Sequence, residues 1–224
     1  MRTRFHLGLD LLKQKLLTMG GMAEQAVERA VEAYRRRDPA LCQQVFEAEP
    51  SINLMEREID ELALDLLAMQ QPMAIDLRFI TAVMKINADL ERVGDQCVNI
   101  VQRVLHSVQL PEVELPADIP RMAELSADMV RRSLQSFIDA RPEAADEVLK
   151  MDDLVDNMNR EIHAAMVDHM RRAPDSLQQA LDALLIARNL ERVADHATNI
   201  AEDVIFWIKG ADVRHHFGMN AAQP

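Results

Sequence analysis

Two stretches carry the reading of this chain: Leu90-Glu91-Arg92-Val93-Gly94-Asp95-Gln96-Cys97-Val98-Asn99-Ile100 and Leu190-Glu191-Arg192-Val193-Ala194-Asp195-His196-Ala197-Thr198-Asn199-Ile200. Seven of the eleven positions are identical at an offset of 100 residues. In the first stretch and its flanks, Val83, Asn87, Leu90, Gly94, Cys97, Val98, Val101 and Leu105 fall in one band of a helical wheel. Upstream, Val45–Ile59 aligns with Val148–Ile162 at an offset of 103. A unit of that length is too long for a solenoid repeat and implies two similar helical bundles.

The punctuation agrees. Asp38-Pro39, Gln71-Pro72, Arg141-Pro142 and Ala173-Pro174 interrupt long helical patterns, since proline cannot continue a helix and biases its predecessor away from the α region. Leu110–Pro120 holds three prolines and reads as a linker. The spacing predicts helices over 5–36, 40–69, 74–107, 119–139, 143–171 and 175–209, with Asp38, Asp118 and Asp175 placed as N-caps or first-turn acids. The expected fold is all-α: one three-helix bundle in 1–110, a second in 117–210, and a flexible tail over 211–224.

Composition supports helix throughout. Hydrophobic residues make up 49% of the 224, aromatics only 4%, with 14 Met, 6 Gly and 9 Pro. No apolar run approaches the roughly 18 residues of a membrane span. Two cysteines, Cys42 and Cys97, do not make a disulfide framework, which suits a reducing cytoplasm. The net charge of −12 argues against nucleic acid and anionic lipid as partners, and favours cations.

The candidate chemistry is acidic. On the wheel Glu91, Asp95 and Asn99 form a row on the shoulder of the apolar face, and Glu191, Asp195 and Asn199 repeat it. The second helix of the later half places Asp152 and Asp156 on a similar shoulder, and Glu49 and Asn53 match them in the first half. Two carboxylates about 6 Å apart repel by roughly 0.3 kcal/mol on an exposed helix, but by about 3 kcal/mol at an effective dielectric near 20. A partly buried cluster must therefore protonate, pair with arginine or bind a cation. One Glu-x-x-x-Asp is an ordinary solvated pattern. Its repetition, beside a matching pair on a neighbouring helix, favours a metal site. All-oxygen ligands suit divalent or trivalent hard ions, Mg, Mn, Ca or Fe rather than Zn.

Other residues point to less. His163 falls near Asp152 and Asp156 but reads better as a simple hydrogen-bonded histidine. His196 is expected to face solvent, and His215 and His216 belong to the tail. Cys97 reads as a buried thiol. There is no Gly-rich phosphate loop, no Gly-x-Ser-x-Gly and no Glu-x-x-His, the last speaking against a ferritin-like di-iron oxidase. Arg78, Lys85, Arg92 and Arg103 form a basic stripe expected on the outer side of the third helix. Its counterparts are Gln178, Leu185, Arg192 and Asp203, so the stripe is either a solvated face or a partner-binding surface of one half.

Gln71-Pro72, Asp76-Leu77-Arg78, Lys85 and Asp89-Leu90-Glu91-Arg92-Val93-Gly94-Asp95, with the echo from Asn189 to Asn199, resemble the PhoU family of phosphate-transport accessory proteins. The resemblance runs from about Phe5 to Lys209. It implies two three-helix bundles related by a pseudo-two-fold, a homodimer, and metal held by acidic motifs in some members. It also implies a non-enzymatic role: restraint of phosphate uptake and of the starvation response, through the ATPase subunit of the phosphate ABC transporter and a phosphate-sensing histidine kinase. Carried over by position, the metal ligands are Glu91, Asp95, Glu191, Asp195, Asp152, Asp156 and Glu49, with Asn53, Asn99 and Asn199 as further candidates. Asn53 stands where a carboxylate is expected, which weakens the first site. The competing reading is a metal-dependent phosphatase built on the same carboxylates.

Overall fold

The computed structural model describes residues 4–70, 72–211 and 213. Among these it forms six α-helices and no strand: α1 (Arg4–Arg36), α2 (Pro39–Gln70), α3 (Ile75–Val108), α4 (Ile119–Asp139), α5 (Pro142–Arg172) and α6 (Leu177–Lys209). A single 3₁₀ turn, Pro174–Ser176, precedes α6. Most of the expected tail, with His215 and His216, lies outside the described residues. Among the described residues no helix is long and apolar enough to cross a membrane.

Local chemistry accounts for the boundaries. Asp38 accepts a hydrogen bond from the Ala40 backbone N–H (2.8 Å) at the start of α2, and Asp118 accepts from that of Arg121 (3.1 Å) at the start of α4. Gly210 ends α6 in the left-handed region, where a residue without Cβ is unstrained. Pro50 lies inside α2, yet the helix runs through it. Its ring is exposed, so the hydrogen bond it removes sits on the solvent side.

Each half is a three-helix bundle, α1–α2–α3 and α4–α5–α6, and the most extensive helix pair in the molecule is α3 against α6. The third helices are therefore buried on two sides. Val83, Leu90, Gly94, Cys97 and Val101 lie in the core as expected, and Ile86, Asp89, Val93, Gln96 and Ile100 are buried as well. In α6, Leu190, Val193, Ala194, Ala197 and Ile200 are all buried. Phe79, Phe137 and Trp207 close one end of this seam, with ring centroids 5.1–6.1 Å apart, and join α3, α4 and α6.

Polar bonds line the same seam. Lys85 Nζ lies 2.9 Å from Asp203 and 5.1 Å from the Phe206 ring centroid. Arg78 Nε donates to the Trp207 carbonyl (3.2 Å), and Arg103 lies 4.0 Å from Asp182. The expected outer basic stripe is thus corrected. Arg78, Lys85 and Arg103 face the second half: Lys85 and Arg103 lie beside the buried Asp203 and Asp182 of α6, and Arg78 meets the Trp207 carbonyl. Arg92 alone of the four is exposed. His196 is corrected too. Its Nδ1 lies 2.9 Å from Asp89, with side chains only 14% and 9% exposed.

Candidate metal centres

The repeated acidic motifs come together at the seam of the second and third helices in each half. In the second half, one carboxylate oxygen from each of Asp152, Asp156 and Asp195 lies within 4.8 Å of the others. Among the described residues this is the one such triad. Asp152 and Asp156 are half-buried on successive turns of α5, and Asp195 sits on the exposed rim of α6. Thr198 Oγ1 donates to Asp152 (3.2 Å) and orients it.

The electrostatics follow from crowding. Burial pushes the Asp195 carboxyl up to about 6, and Asp152, Glu191 and Asp156 add to the shift while His196 opposes it. Asp152 is raised by burial and then by Asp156, with the Thr198 hydrogen bond opposing. Glu191 therefore acts on the triad through space without being one of its three members. Two charges roughly 4 Å apart repel by about 1 kcal/mol in water and about 4 kcal/mol at an effective dielectric near 20. The rim position of Asp195 keeps its cost toward the lower figure.

In the first half Glu91 is raised by burial and then by Asp95, Glu56 and Glu49, with Arg92 opposing. Asp95 is raised by burial and by Glu49. Glu49, Glu91 and Asp95 are thus neighbours, although they do not close into a triad as tight as the second. Asn53 is tied to this cluster through its amide. Its Nδ2 donates to Glu49 Oε1 (2.6 Å), which holds that carboxylate in place.

Glu56 is the residue that sequence reasoning missed. It is raised by burial, by Asp60 and by Asp95, so it belongs to the first cluster. Glu56 stands seven residues after Glu49, two turns on along one helix face, and that spacing was the available signal. Its counterpart at the offset of 103 is Asn159. The first site therefore does not lack a charge: Glu49, Glu56, Glu91 and Asp95 balance Asp152, Asp156, Glu191 and Asp195. The missing carboxylate at Asn53 has moved about one turn along α2.

The remaining candidates fall elsewhere. Asn199 Nδ2 donates to Asp89 (3.2 Å) across the seam between halves. Asn99 is half-buried, and His163 is exposed and outside the triad. Cys97 is fully buried, with its thiol raised by burial, and Cys42 is pushed up to about 11 by burial and by Asp38. Neither thiol is fitted for nucleophilic or metal chemistry. The donor set is carboxylate oxygen alone, which fits a hard cation and not zinc or copper.

A pH dependence follows for metal-free protein. Asp195 keeps its proton to about pH 6 when folded but only to about pH 4 when unfolded. A raised folded value means that the contribution is fully present below about pH 4 and is lost as pH rises through about 6. In chelator, Asp195→Asn and the parent should melt together near pH 3. By pH 7 the variant should melt about 2–4 °C higher, since the exposed rim position of Asp195 screens part of the shift. Equal melting temperatures at pH 7 would show that the Asp195 carboxylate is unstrained.

Comparison with known proteins matches this architecture. The PhoU domain model covers residues 16–104 and 119–204. The chain is 36% identical to the phosphate-specific transport system accessory protein PhoU homolog of Pseudomonas putida, over 95% of this chain and 83% of that protein. It is 30% identical to the Escherichia coli K12 accessory protein PhoU, over 95% and 88% respectively. The crystal structure of PhoU from Pseudomonas aeruginosa superposes with a TM-score of 0.88 at 34% identity, covering 93% of this chain and 100% of that one. The Streptococcus pneumoniae phosphate transport system regulatory protein PhoU gives 0.82 at 28%, covering 94% and 99%. With both repeats matched and the helical architecture shared throughout, the chain belongs to the PhoU family.

Proposed function

We propose that this protein is a cytoplasmic, non-enzymatic regulator of phosphate-specific transport. It restrains uptake by engaging the ATPase subunit of the phosphate ABC transporter, and it relays phosphate supply to a sensor histidine kinase. The observation that carries this reading is the likeness, over nearly the whole chain, to relatives named accessory proteins of that transport system. Removing the gene from its host should raise the uptake of labelled phosphate and the output of a starvation reporter in phosphate-rich medium. Unchanged uptake and reporter would overturn the assignment. A homodimer is the proposed solution state, and light scattering reads it directly.

We further propose that the two carboxylate clusters hold Mg, Mn or Fe. The all-oxygen donor set and the crowding that raises Asp152 and Asp195 support this. Asp152, Asp156 and Asp195, with Glu191 beside them, would be the ligands in the second half, and Glu49, Glu56, Glu91 and Asp95 in the first. A cation there supplies charge neutralisation and relieves the repulsion. The second site should be the tighter, because its oxygens already converge. Elemental analysis should show Asp195→Ala losing more bound metal than Asp95→Ala, and the reverse order would sink that ranking. Release of phosphate from generic phosphoesters in added Mn²⁺ would favour the phosphatase reading instead.

A further inference from the structure

The offset of 103 that relates α2 to α5 also relates α1 to α4. Every buried residue of α1 from Leu16 to Ala33 has a buried counterpart in α4, from Ile119 to Ser136. At that offset Glu58 of α2 matches Glu161 of α5, and Lys15 of α1 matches Asp118. In the first half Lys15 Nζ crosses from α1 to Glu58 at 2.6 Å and ties the two helices together. In the second half a carboxylate holds the place of that cation, and it caps α4 through the Arg121 N–H. Asp118 and Glu161 line one cavity of about 180 Å³, and the rest of its lining, from the linker and α5, contains no cation. Among the described residues the Glu161 side chain forms no ion pair.

The same glutamate belongs to a longer groove. A cavity of about 480 Å³ lies between α4 and α5 and shares Met158 and Glu161 with the smaller one. Its residues recur three and four apart on both helices, which places them along one face of each. Together the two cavities follow α5 from Leu154 to Ala165, about 16 Å at the rise of a helix, or three turns. Leu125 and Met158 are half-buried along it, and Leu154 is 54% exposed. The first half has Ser51 at the position of Leu154. Two of the acids on this groove are already answered, Glu124 by Arg35 (3.3 Å) and Asp128 by Arg131 and Arg132 (3.1 and 2.7 Å). Arg121 also lines the groove, but it does not pair with Glu161.

We propose that this groove receives an amphipathic helix of a partner protein, with apolar side chains against Leu125, Leu154 and Met158 and a lysine or arginine against Glu161 and Asp118. Charge selects the occupant. A basic segment supplies the cation that Lys15 supplies in the first half, whereas a second copy of this chain, at a net −12, brings more acid to an acidic rim. Three turns of apolar groove match the way a helix seats side chains spaced three and four apart. Asp152 and Asp156 project from the opposite side of α5 from Leu154 and Glu161, so the surface is separate from the metal clusters. The inference does not rest on the transport reading, because it names a recognition chemistry and not a partner.

The probe is a capped, alanine-based helical peptide of about 18 residues, with leucines along one face and lysines flanking them. Fluorescence anisotropy of the labelled peptide should show saturable binding that weakens with salt. A peptide with glutamates in place of the lysines should bind at least roughly 10-fold more weakly. Leu154→Gln should weaken the lysine peptide roughly 10-fold, as expected when one apolar contact is lost. Leu54→Gln, at a leucine 52% exposed on α2, should leave it unchanged. Glu161→Gln should weaken it roughly 3-fold, and Glu61→Gln, which removes the same charge from an exposed site on α2, should not. All four positions are exposed, so the variants should fold, and equal melting temperatures check this. No binding of the lysine peptide at millimolar concentration would overturn the proposal. So would equal losses from Leu154→Gln and Leu54→Gln, or from Glu161→Gln and Glu61→Gln. Self-association of the parent that Leu154→Gln abolishes would give the face to a second copy and overturn it as well.

Discussion

Lys85→Glu should lower the melting temperature of the protein by about 5–10 °C. Lys85 reaches across the seam to Asp203, a residue only 5% exposed, and its ammonium also lies over the Phe206 ring. Removing one partner of a buried pair typically costs about 3–5 kcal/mol, because the other charge stays buried with that compensation lost. Lys85 keeps some contact with solvent, so about 2–3 kcal/mol is the fitting figure here, and each kcal/mol is worth roughly 2–4 °C in a chain of this size. A glutamate adds repulsion to the loss. The double variant Lys85→Glu with Asp203→Lys should recover part of the deficit, since the pair is restored with its polarity reversed. A melting temperature within about 1 °C of the parent would mean that Lys85 is the solvated outer charge its position on the wheel suggested.

The second large effect is that of metal. Millimolar Mn²⁺ should raise the melting temperature of chelated protein by about 5–10 °C. An ion that binds only the folded state at about 100 times its Kd contributes roughly 2.7 kcal/mol. The triad of Asp152, Asp156 and Asp195 should dominate this gain, since its oxygens converge within 4.8 Å. Asp195→Asn should then lose most of the metal-dependent rise while melting no lower than the parent in chelator at pH 7, because it also removes the strained charge. That opposite response, less stable with metal and more stable without it, separates a ligand from a residue that merely supports the fold. Absence of any shift with metal would leave the clusters as acidic surface.

Much of this protein is legible one residue after another. The prolines at 39, 72, 142 and 174 interrupt the helical patterns, and the observed helices begin at or within three residues of each. Proline lacks the N–H and clashes with the preceding turn, so it favours a helix start at these four places, whereas Pro50 is accommodated inside α2. The repeat of Leu90–Ile100 in Leu190–Ile200 made two bundles the simplest architecture, since each copy carries its own apolar stripe. The i, i+4 spacing of Asp152 with Asp156 and of Glu91 with Asp95 put carboxylates on one helix face, which backbone geometry alone enforces.

What the sequence could not express is which faces meet. Lys85, Arg103 and His196 read as surface because charged side chains usually are, and an apolar stripe on the opposite face already accounted for the burial of each helix. Packing α3 against α6 created a second buried face, and there the same residues became partners: Lys85 with Asp203, His196 with Asp89, and Arg103 beside Asp182 with His106. These pairs join residues 76 to 118 positions apart in the chain, so no local period carries them. The exchange of Asn53 for Glu56 is of the same kind. A carboxylate moved about one turn along α2 looks like a lost ligand when positions are matched one to one. Only the approach of α2 to α3 returns it to Glu91 and Asp95, because side-chain reach in three dimensions, and not sequence offset, decides which charges feel each other.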